Sequence, residues 1–414
     1  MEIKPEIKKF TKYQVFVVAV LALMQFTVIL DFMVMAPLSA ILLPVLHIST
    51  AQFGFAVSVY AISAGIAGIL TAGFADKYDR KKLLMFFYCG FVIGTFLCGI
   101  APDYYFLLGA RIITGMFGGV VGSIGGAIIT DLFEIDKRGR VMGFVQMGFA
   151  ASQVLGLPIG LFLANHFGWH SPFLMIAGMS VIMGVIVFAN LKPIADHLKL
   201  KVERNAFTHL LKTISRPDYL LAFSTMVLIA TGGYMMMPFG SAFSVNNVGV
   251  TLDQLPVLYM VTGIFSFAVA PLTGRLSDKI GKYTVFLGGT ALTMVIVSIY
   301  CNLGLTPLWI VMILNVFLFA GIFSRIVPAS ALMTAIPDAH DRGAFMSINS
   351  SIQQFAGGIA SAAAGMIVVQ MPGGKILHYD TLGYVVMVAM IITAMMMYFL
   401  NRQATRKLHA TKPI

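Results

Sequence analysis

Ala72-Gly73-Phe74-Ala75-Asp76-Lys77-Tyr78-Asp79-Arg80-Lys81-Lys82 is a short polar stretch between two apolar runs, each long enough to cross a bilayer. A second version stands in the other half of the chain: Gly274-Arg275-Leu276-Ser277-Asp278-Lys279-Ile280-Gly281-Lys282. Both carry an acid-base-x-x-base core, Asp76-Lys77-x-x-Arg80 and Asp278-Lys279-x-x-Lys282. The two cores lie about half the chain apart. A polar link written twice at that distance points to an internal repeat.

Composition sets the class. The 414 residues are 58% hydrophobic and 11% charged, with a mean hydropathy of +0.89. Soluble chains carry about 25% charged residues, so this one could not cover a water-facing surface. Its apolar residues fall in runs of about 20, the length that spans ~30 Å of hydrocarbon as helix. The first run has no small-residue cleavage site and reads as a span rather than a signal peptide. Cys89, Cys98 and Cys301 sit in apolar runs without disulfide or metal spacing and read as small buried apolar residues.

Taken in order, the chain gives twelve predicted spans. Six, near 14–36, 51–73, 83–100, 104–130, 141–163 and 172–191, form a first half, residues 1–191. Residues 192–217 are the longest polar stretch and read as a linker. Spans near 218–243, 254–273, 284–301, 306–333, 343–369 and 381–400 form a second half, residues 218–414, with a basic tail. Ser49 or Thr50 is the expected N-cap of the second span.

With twelve spans, both termini and the even-numbered connections share a side. That side holds 25 of the 28 Lys and Arg residues. Lys375 lies opposite, and Arg111 and Arg325 lie inside spans. The positive-inside rule puts the termini, both polar links and the linker in the cytoplasm. The net charge of +11 is therefore topological and implies no nucleic acid. A bacterial inner membrane is the expected location, and a monomer the expected state.

The halves also match in detail. Asp31-Phe32-Met33-Val34-Met35-Ala36-Pro37 in span one aligns with Gly232-Gly233-Tyr234-Met235-Met236-Met237-Pro238 in span seven. Thr130…Arg138-Gly139 aligns with Thr334…Arg342-Gly343. Repeated halves with sites near the midplane are a transporter architecture.

These residues resemble the major facilitator superfamily along essentially the whole chain. The first link is similar to the family's G-x-L-a-D-R-x-G-R-R signature, with Ala72 and Asp79 in place of its two glycines. Asp79 is expected to take the left-handed backbone of the second glycine. The second copy keeps both, as Gly274 and Gly281. Arg111-Ile-Ile-Thr-Gly115-Met-Phe-Gly118 is similar to the family's span-four pattern. Gly156-Leu-Pro158-Ile-Gly160 resembles the glycine-proline element of exporters, without its contiguous Gly-Pro. Gly168-Trp169-His170-Ser171-Pro172-Phe173 resembles the family's lead into span six. The resemblance implies an all-α membrane protein of twelve transmembrane helices in two pseudo-symmetric six-helix halves, resembling the drug:proton antiporter type.

Asp31, Arg111 and Arg325 are the ionisable residues deep inside predicted spans. Each is costly against lipid and should face protein or a water-filled cavity. At ~1.5 Å per residue, Asp31 lies about 25 Å from the cytoplasmic start of span one, and Arg111 about 10 Å from the outer start of span four. Spans one and four are neighbours in the family, so the two read as a proton-coupling pair or as a static ion pair that orients helices. Arg325 has no intramembrane acid of its own. It reads as a contact to an anionic substrate group or as a cation snorkelling to the interface.

Asp76, Arg80, Asp131 and Asp278 read as a cytoplasmic gate, as the resemblance implies, or as solvated topological charge. Tyr234, Asn315, Asn349, Gln353, Gln146 and Gln153 are candidates to line a substrate cavity. Interhelical hydrogen bonding is the competing reading of each. Asn349 with Gln353, and Gln146 with Gln153, are spaced to share a helix face.

Hydrolase, kinase, redox and metal constellations are missing from the sequence, as is a Walker loop. The expectation is a secondary transporter, not an enzyme, without cofactor or metal. It would couple proton movement to efflux of small, amphipathic compounds by alternating access. Symport or uniport of a nutrient is the first alternative. A non-transporting receptor or scaffold on the same fold is the second.

Overall fold

The structure is a computed structural model that describes residues 10–199, 206–338 and 341–410. Lys4, Lys8, Lys9, Lys201, Arg204 and Lys412, counted above on the basic side, lie outside the described residues.

The first half runs α1 (Lys12–Val34), α2 (Ser39–Val45), α3 (Thr50–Ala72), α4 (Arg80–Gly99), α5 (Tyr104–Leu132), α6 (Ile135–Ala151), α7 (Leu157–Phe167) and α8 (Ser171–Asn190). A short α9 (Ala206–Ile214) follows in the linker. The second half runs α10 (Pro217–Met236), α11 (Gly240–Phe243), α12 (Leu255–Ile280), α13 (Lys282–Tyr300), α14 (Leu308–Ala335) and α15 (Arg342–Ile367). A small hairpin, β1 (Val369–Gln370) with β2 (Ile376–Leu377), carries Lys375 and leads into α16 (Tyr379–Ala410). A π-helical turn, Ser152–Gly156, joins α6 to α7 as one span.

Local sequence starts these helices. Thr11 and Ser49 build capping boxes with Gln14 and Gln52, which settles the cap of α3 on Ser49. Asp103 caps α5 by accepting from the Phe106 amide. Asp79 does the same for α4, accepting from the Lys82 amide at 3.0 Å. Its φ of −55° corrects the expectation of a left-handed residue there: the carboxylate satisfies a free helix-end donor instead. The second polar link is also not a loop. α12 runs through it to Ile280, and the turn is made at Gly281 alone, at φ +99°.

Among the described residues, eleven segments are long and apolar enough to cross a membrane. The one predicted span not among them is the eleventh in order, α15: it is less apolar and packs between α3 and α10, with Asn349, Ser351 and Ser361 buried in protein. α16 continues past the predicted end of span twelve, to Ala410. Cys89 is exposed, unlike Cys98 and Cys301.

Packing repeats as the sequence does. α1 packs on α6 and α8, α3 on α5, and α4 on α5 and α8. In the same order, α10 packs on α15 and α16, α12 on α14, and α13 on α14 and α16. The halves meet along α3–α15 and α7–α12. Between apolar helices in lipid, close approach supplies the attraction that water supplies elsewhere. The α3–α15 seam is accordingly glycine-lined: a Cβ on Gly54 would sit 2.6 Å from the Ser361 carbonyl, and one on Gly365 would sit 2.6 Å from that of Thr50.

The α3–α15 seam runs as far as Gly68, where a Cβ would lie 3.1 Å from Ser351 Oγ, while the hydrogen bonds that join the halves lie away from the basic links. Thr50 donates to the Val368 carbonyl, Ser39 accepts from the Ala242 amide, and Asn165 donates to the Leu252 carbonyl. Phe53 meets Phe239 edge-on. Also between the halves, Phe32 and Tyr234 lie 5.8 Å apart between ring centres. The cavity beside them measures about 10 Å³, room for about one water. The halves are thus in direct contact on the side opposite the basic links.

Candidate functional site

Asp31 and Arg111 form an ion pair inside the first half. Arg111 Nη1 donates to Asp31 Oδ2 at 2.9 Å, and both side chains are 0% exposed. The same nitrogen reaches the Asp31 carbonyl at 3.3 Å. Thr95 Oγ1 donates to Asp31 Oδ1 at 3.1 Å. The face of Tyr60 covers the guanidinium at 4.3 Å, a favourable place for a desolvated cation. Arg111 Nε and Nη2 have no hydrogen-bond partner. The carboxylate is thus held by two donors, while the cation keeps two donors unused. Phe32, next to Asp31, packs against Tyr60.

Four helices deliver these groups because small residues let them approach. A Cβ on Gly115 would lie 2.3 Å from the Tyr60 carbonyl, so α5 sits tightly on α3 one turn from Arg111. A Cβ on Gly94, beside Thr95, would lie 2.7 Å from the Thr114 amide. Gly156 receives the side chain of Leu30, beside Asp31, which gives the glycine-proline element its packing role. At any of these three positions a larger side chain would push apart helices that carry the pair.

On the basic side, Asp76, Arg80 and Asp131 are brought together. Arg80 donates to Asp76 Oδ1 at 2.7 Å through Nη2, and to Asp131 Oδ2 at 3.0 Å through Nε. Its Nη1 donates to the Ala75 carbonyl at 3.0 Å. The Arg80 side chain is 7% exposed and that of Asp76 64%. The cluster ties the α3–α4 link to the end of α5. Asp278 is not part of it. It sits exposed near the end of α12, and the residue matching Asp131 in the second half is Ala335. The continuous helix there leaves Asp278 without a turn to fold it back.

The second half uses other residues on this side. Arg216 donates to Asp338 and to Asp341, and Tyr219 donates to Asp341 at 3.0 Å. His209 of α9 reaches Asp341 at 2.9 Å. The neighbouring Asp341 carboxylate holds the Arg216 guanidinium above its ordinary pKa.

The cavity candidates separate. Tyr234 is half-buried against Phe32 of the other half, with its hydroxyl 3.5 Å from Gln354. Asn315 is half-buried and donates to the Val311 carbonyl at 3.3 Å. Asn349 is buried with Oδ1 unpartnered, and Gln353 is half-buried. Gln146 is exposed but Gln153 is buried, so the shared face does not give them common surroundings. Gln153 lies where the π-helical turn meets Gly263 of α12. Arg325 is 5% exposed, with its guanidinium 5.6 Å above the Phe286 ring. That burial corrects the snorkelling alternative.

Thr95 and Tyr60 were not singled out from the sequence. Both are uncharged and common in spans, and the glycines packed opposite them are the one trace they leave. Gln25, a polar residue in mid-span, belongs to no motif. It faces Gly122.

A sequence profile described as Major Facilitator Superfamily matches residues 21–361 and 223–413. This chain belongs to that superfamily. It is 27% identical over 360 residues, 85% of the chain and 87% of the relative, to the uncharacterized MFS-type transporter YbcL of Bacillus subtilis. It is 29% identical over 264 residues, 63% of the chain and 67% of the relative, to the uncharacterized MFS-type transporter YceJ of the same species. Among solved structures, a bacterial homologue of the human lysosomal transporter Spinster, inward-facing and unoccupied, matches with TM-score 0.75 at 17% identity. That match covers 96% of this chain and 99% of the other. A D-xylose-proton symporter matches with TM-score 0.72 at 17% identity, covering 92% and 97%. The fold is that of the superfamily, twelve membrane helices in two related halves, and its members here are membrane transporters rather than enzymes.

Proposed function

We propose that this chain is a proton-coupled secondary transporter that exports small, amphipathic compounds by alternating access, with Asp31 as proton carrier. The observation that carries the reading is the fully buried Asp31–Arg111 pair, bonded also by Thr95. A carboxylate in low dielectric is stable as an anion only while its donors are in place. Protonation removes its attraction to Arg111 and frees the helices that the pair joins. Deprotonation restores both, so proton binding and helix packing are linked. Halves 1–191 and 218–414 would rock about the axis, with 192–217 as the tether between them.

The charge distribution supports a cytoplasmic basic side, with both termini there, in a bacterial cell membrane. The side on which Thr50, Ser39 and Asn165 bond across the halves then faces outward. In that orientation Asp76, Arg80 and Asp131 form part of the cytoplasmic gate. Proton-driven import is a second reading, favoured by the likeness to a proton symporter.

Proteoliposomes with an imposed pH gradient and a substrate panel test the proposal. Export predicts that substrate moves against its gradient as protons run the opposite way. Co-directional movement would replace export by symport. An absence of flux for every compound from a folded protein would overturn transport and leave a receptor or scaffold.

A further inference from the structure

Arg325 and Gly232 face each other across the second half. Arg325 is 5% exposed, and its Nε and Nη2 are buried without a hydrogen-bond partner. Among the described residues, Arg325 has no ion pair. The aspartates of this half, Asp218, Asp253, Asp278, Asp338, Asp341 and Asp380, lie at helix ends or in links. The ring of Phe286 covers one side of the guanidinium. Toward α10 it meets the bare backbone of Gly232: a Cβ built there would lie 3.8 Å from Arg325 Nη1.

Gly232 is the repeat counterpart of Asp31. In the first half this position supplies the carboxylate that Arg111 binds. In the second half it supplies nothing, yet a cation points at it. A Cβ at Gly232 would also meet Val386 and Met390 at 3.7 and 3.8 Å, ordinary contact distances, so the glycine is not required by crowding. A buried cation with open donors is a costly arrangement. It is retained most readily where an anion visits. A guanidinium offers paired donors suited to a compact anion and to a carboxylate above all.

We propose that Arg325, opposite Gly232, is a receiving site for a compact anionic group, which supplies the acid that the second half lacks at the position of Asp31. The anion has two possible sources: a carboxylate on the transported compound, or an inorganic anion from solution. The inference deepens the transport reading and rests on it for the role of a bound carboxylate. Its test reads binding, not flux, so the two can fail separately.

The experiment is thermal unfolding of the full chain in lipid nanodiscs, in low-salt buffer with ionic strength matched by sodium HEPES. Sodium benzoate and sodium chloride are the anion probes, and neutral benzamide is the control. Benzoate is expected to raise the unfolding midpoint saturably, by roughly 2–4 °C, with no rise from benzamide. An equal response to chloride assigns the site to inorganic anions, and a response to benzoate alone assigns it to carboxylate-bearing compounds. Arg325→Gln should lose the response while remaining folded, since it removes a buried unpaired charge. Gly232→Asp should place a carboxylate in the chain, raise the midpoint measured without added probe anion and abolish the response. No response to either anion in the parent protein, or a response preserved in Arg325→Gln, overturns the proposal.

Discussion

Arg111 Nη1 lies 2.9 Å from Asp31 Oδ2 with neither side chain exposed. The two residues are 80 positions apart in the chain, on α1 and α5, and Thr95 of α4 holds the second carboxylate oxygen. The stability of the fold and the proposed proton coupling would then rest on the same two side chains, and mutation can separate them.

Asp31→Asn leaves Arg111 buried without its acid. Breaking one side of such a pair costs about 3–5 kcal/mol, which thermal unfolding in detergent or nanodiscs would register. Adding Arg111→Gln should recover most of that loss. Neither variant should drive accumulation from a pH gradient, although downhill exchange of a neutral substrate can survive. A folded Asp31→Asn that couples at the parental rate would make Asp31 structural.

Asp76 is a different case, because most of its side chain is in water while Arg80 beneath it is buried. Asp76→Asn should change stability by about 0.5 kcal/mol or less, since Asp131 still pairs with Arg80. The gate reading expects flux to fall sharply nonetheless. Parental flux from the well-expressed variant would return this link to ordinary topological charge.

The α3–α15 seam predicts a shift in conformation. Gly365→Ala places a methyl group against the Thr50 carbonyl, and Gly54→Ala does the same against Ser361. Overpacking of this kind costs about 1–3 kcal/mol, paid only in the state where the seam is closed. Spin labels on the loops opposite the basic side should show longer separations in both variants. Distance distributions identical to the parent would mean that the seam does not set the equilibrium.

Orientation is tested by reporter fusions. Fusions after Ala410 and within residues 206–212 should report cytoplasm, and one beside Lys375 in the β1–β2 hairpin should report the outside. A linker fusion reporting the outside would reverse the whole layout.

The sequence alone gave the positions of the twelve spans, because a bilayer demands about 20 apolar residues per crossing and every crossing is a local property. α15 was recovered by the same reading although its polar residues lower its hydropathy. Their burial between α3 and α10 was not legible. The second polar link reads as a loop because its motif matches the first, yet it is the end of α12. Nothing in the motif says whether the preceding helix stops. Among the site residues, Asp31 and Arg111 could be paired in advance because isolated charges in apolar runs are few. Thr95 and Tyr60 could not, since hydroxyl and aromatic residues recur throughout the spans.

Composition, periodicity and the repeated halves thus determined the class of protein, its span count and the internal symmetry. These follow from the cost of placing charge and open backbone in hydrocarbon, residue by residue. Tertiary structure decided which side chains meet. It set Arg80 between Asp76 and Asp131 but left Asp278 outside, and it gave Arg111 an acid while aiming Arg325 at Gly232. Such contacts depend on how closely helices approach, which Gly94, Gly115 and Gly156 permit. That distance is a property of pairs of helices, and no single stretch of sequence contains it.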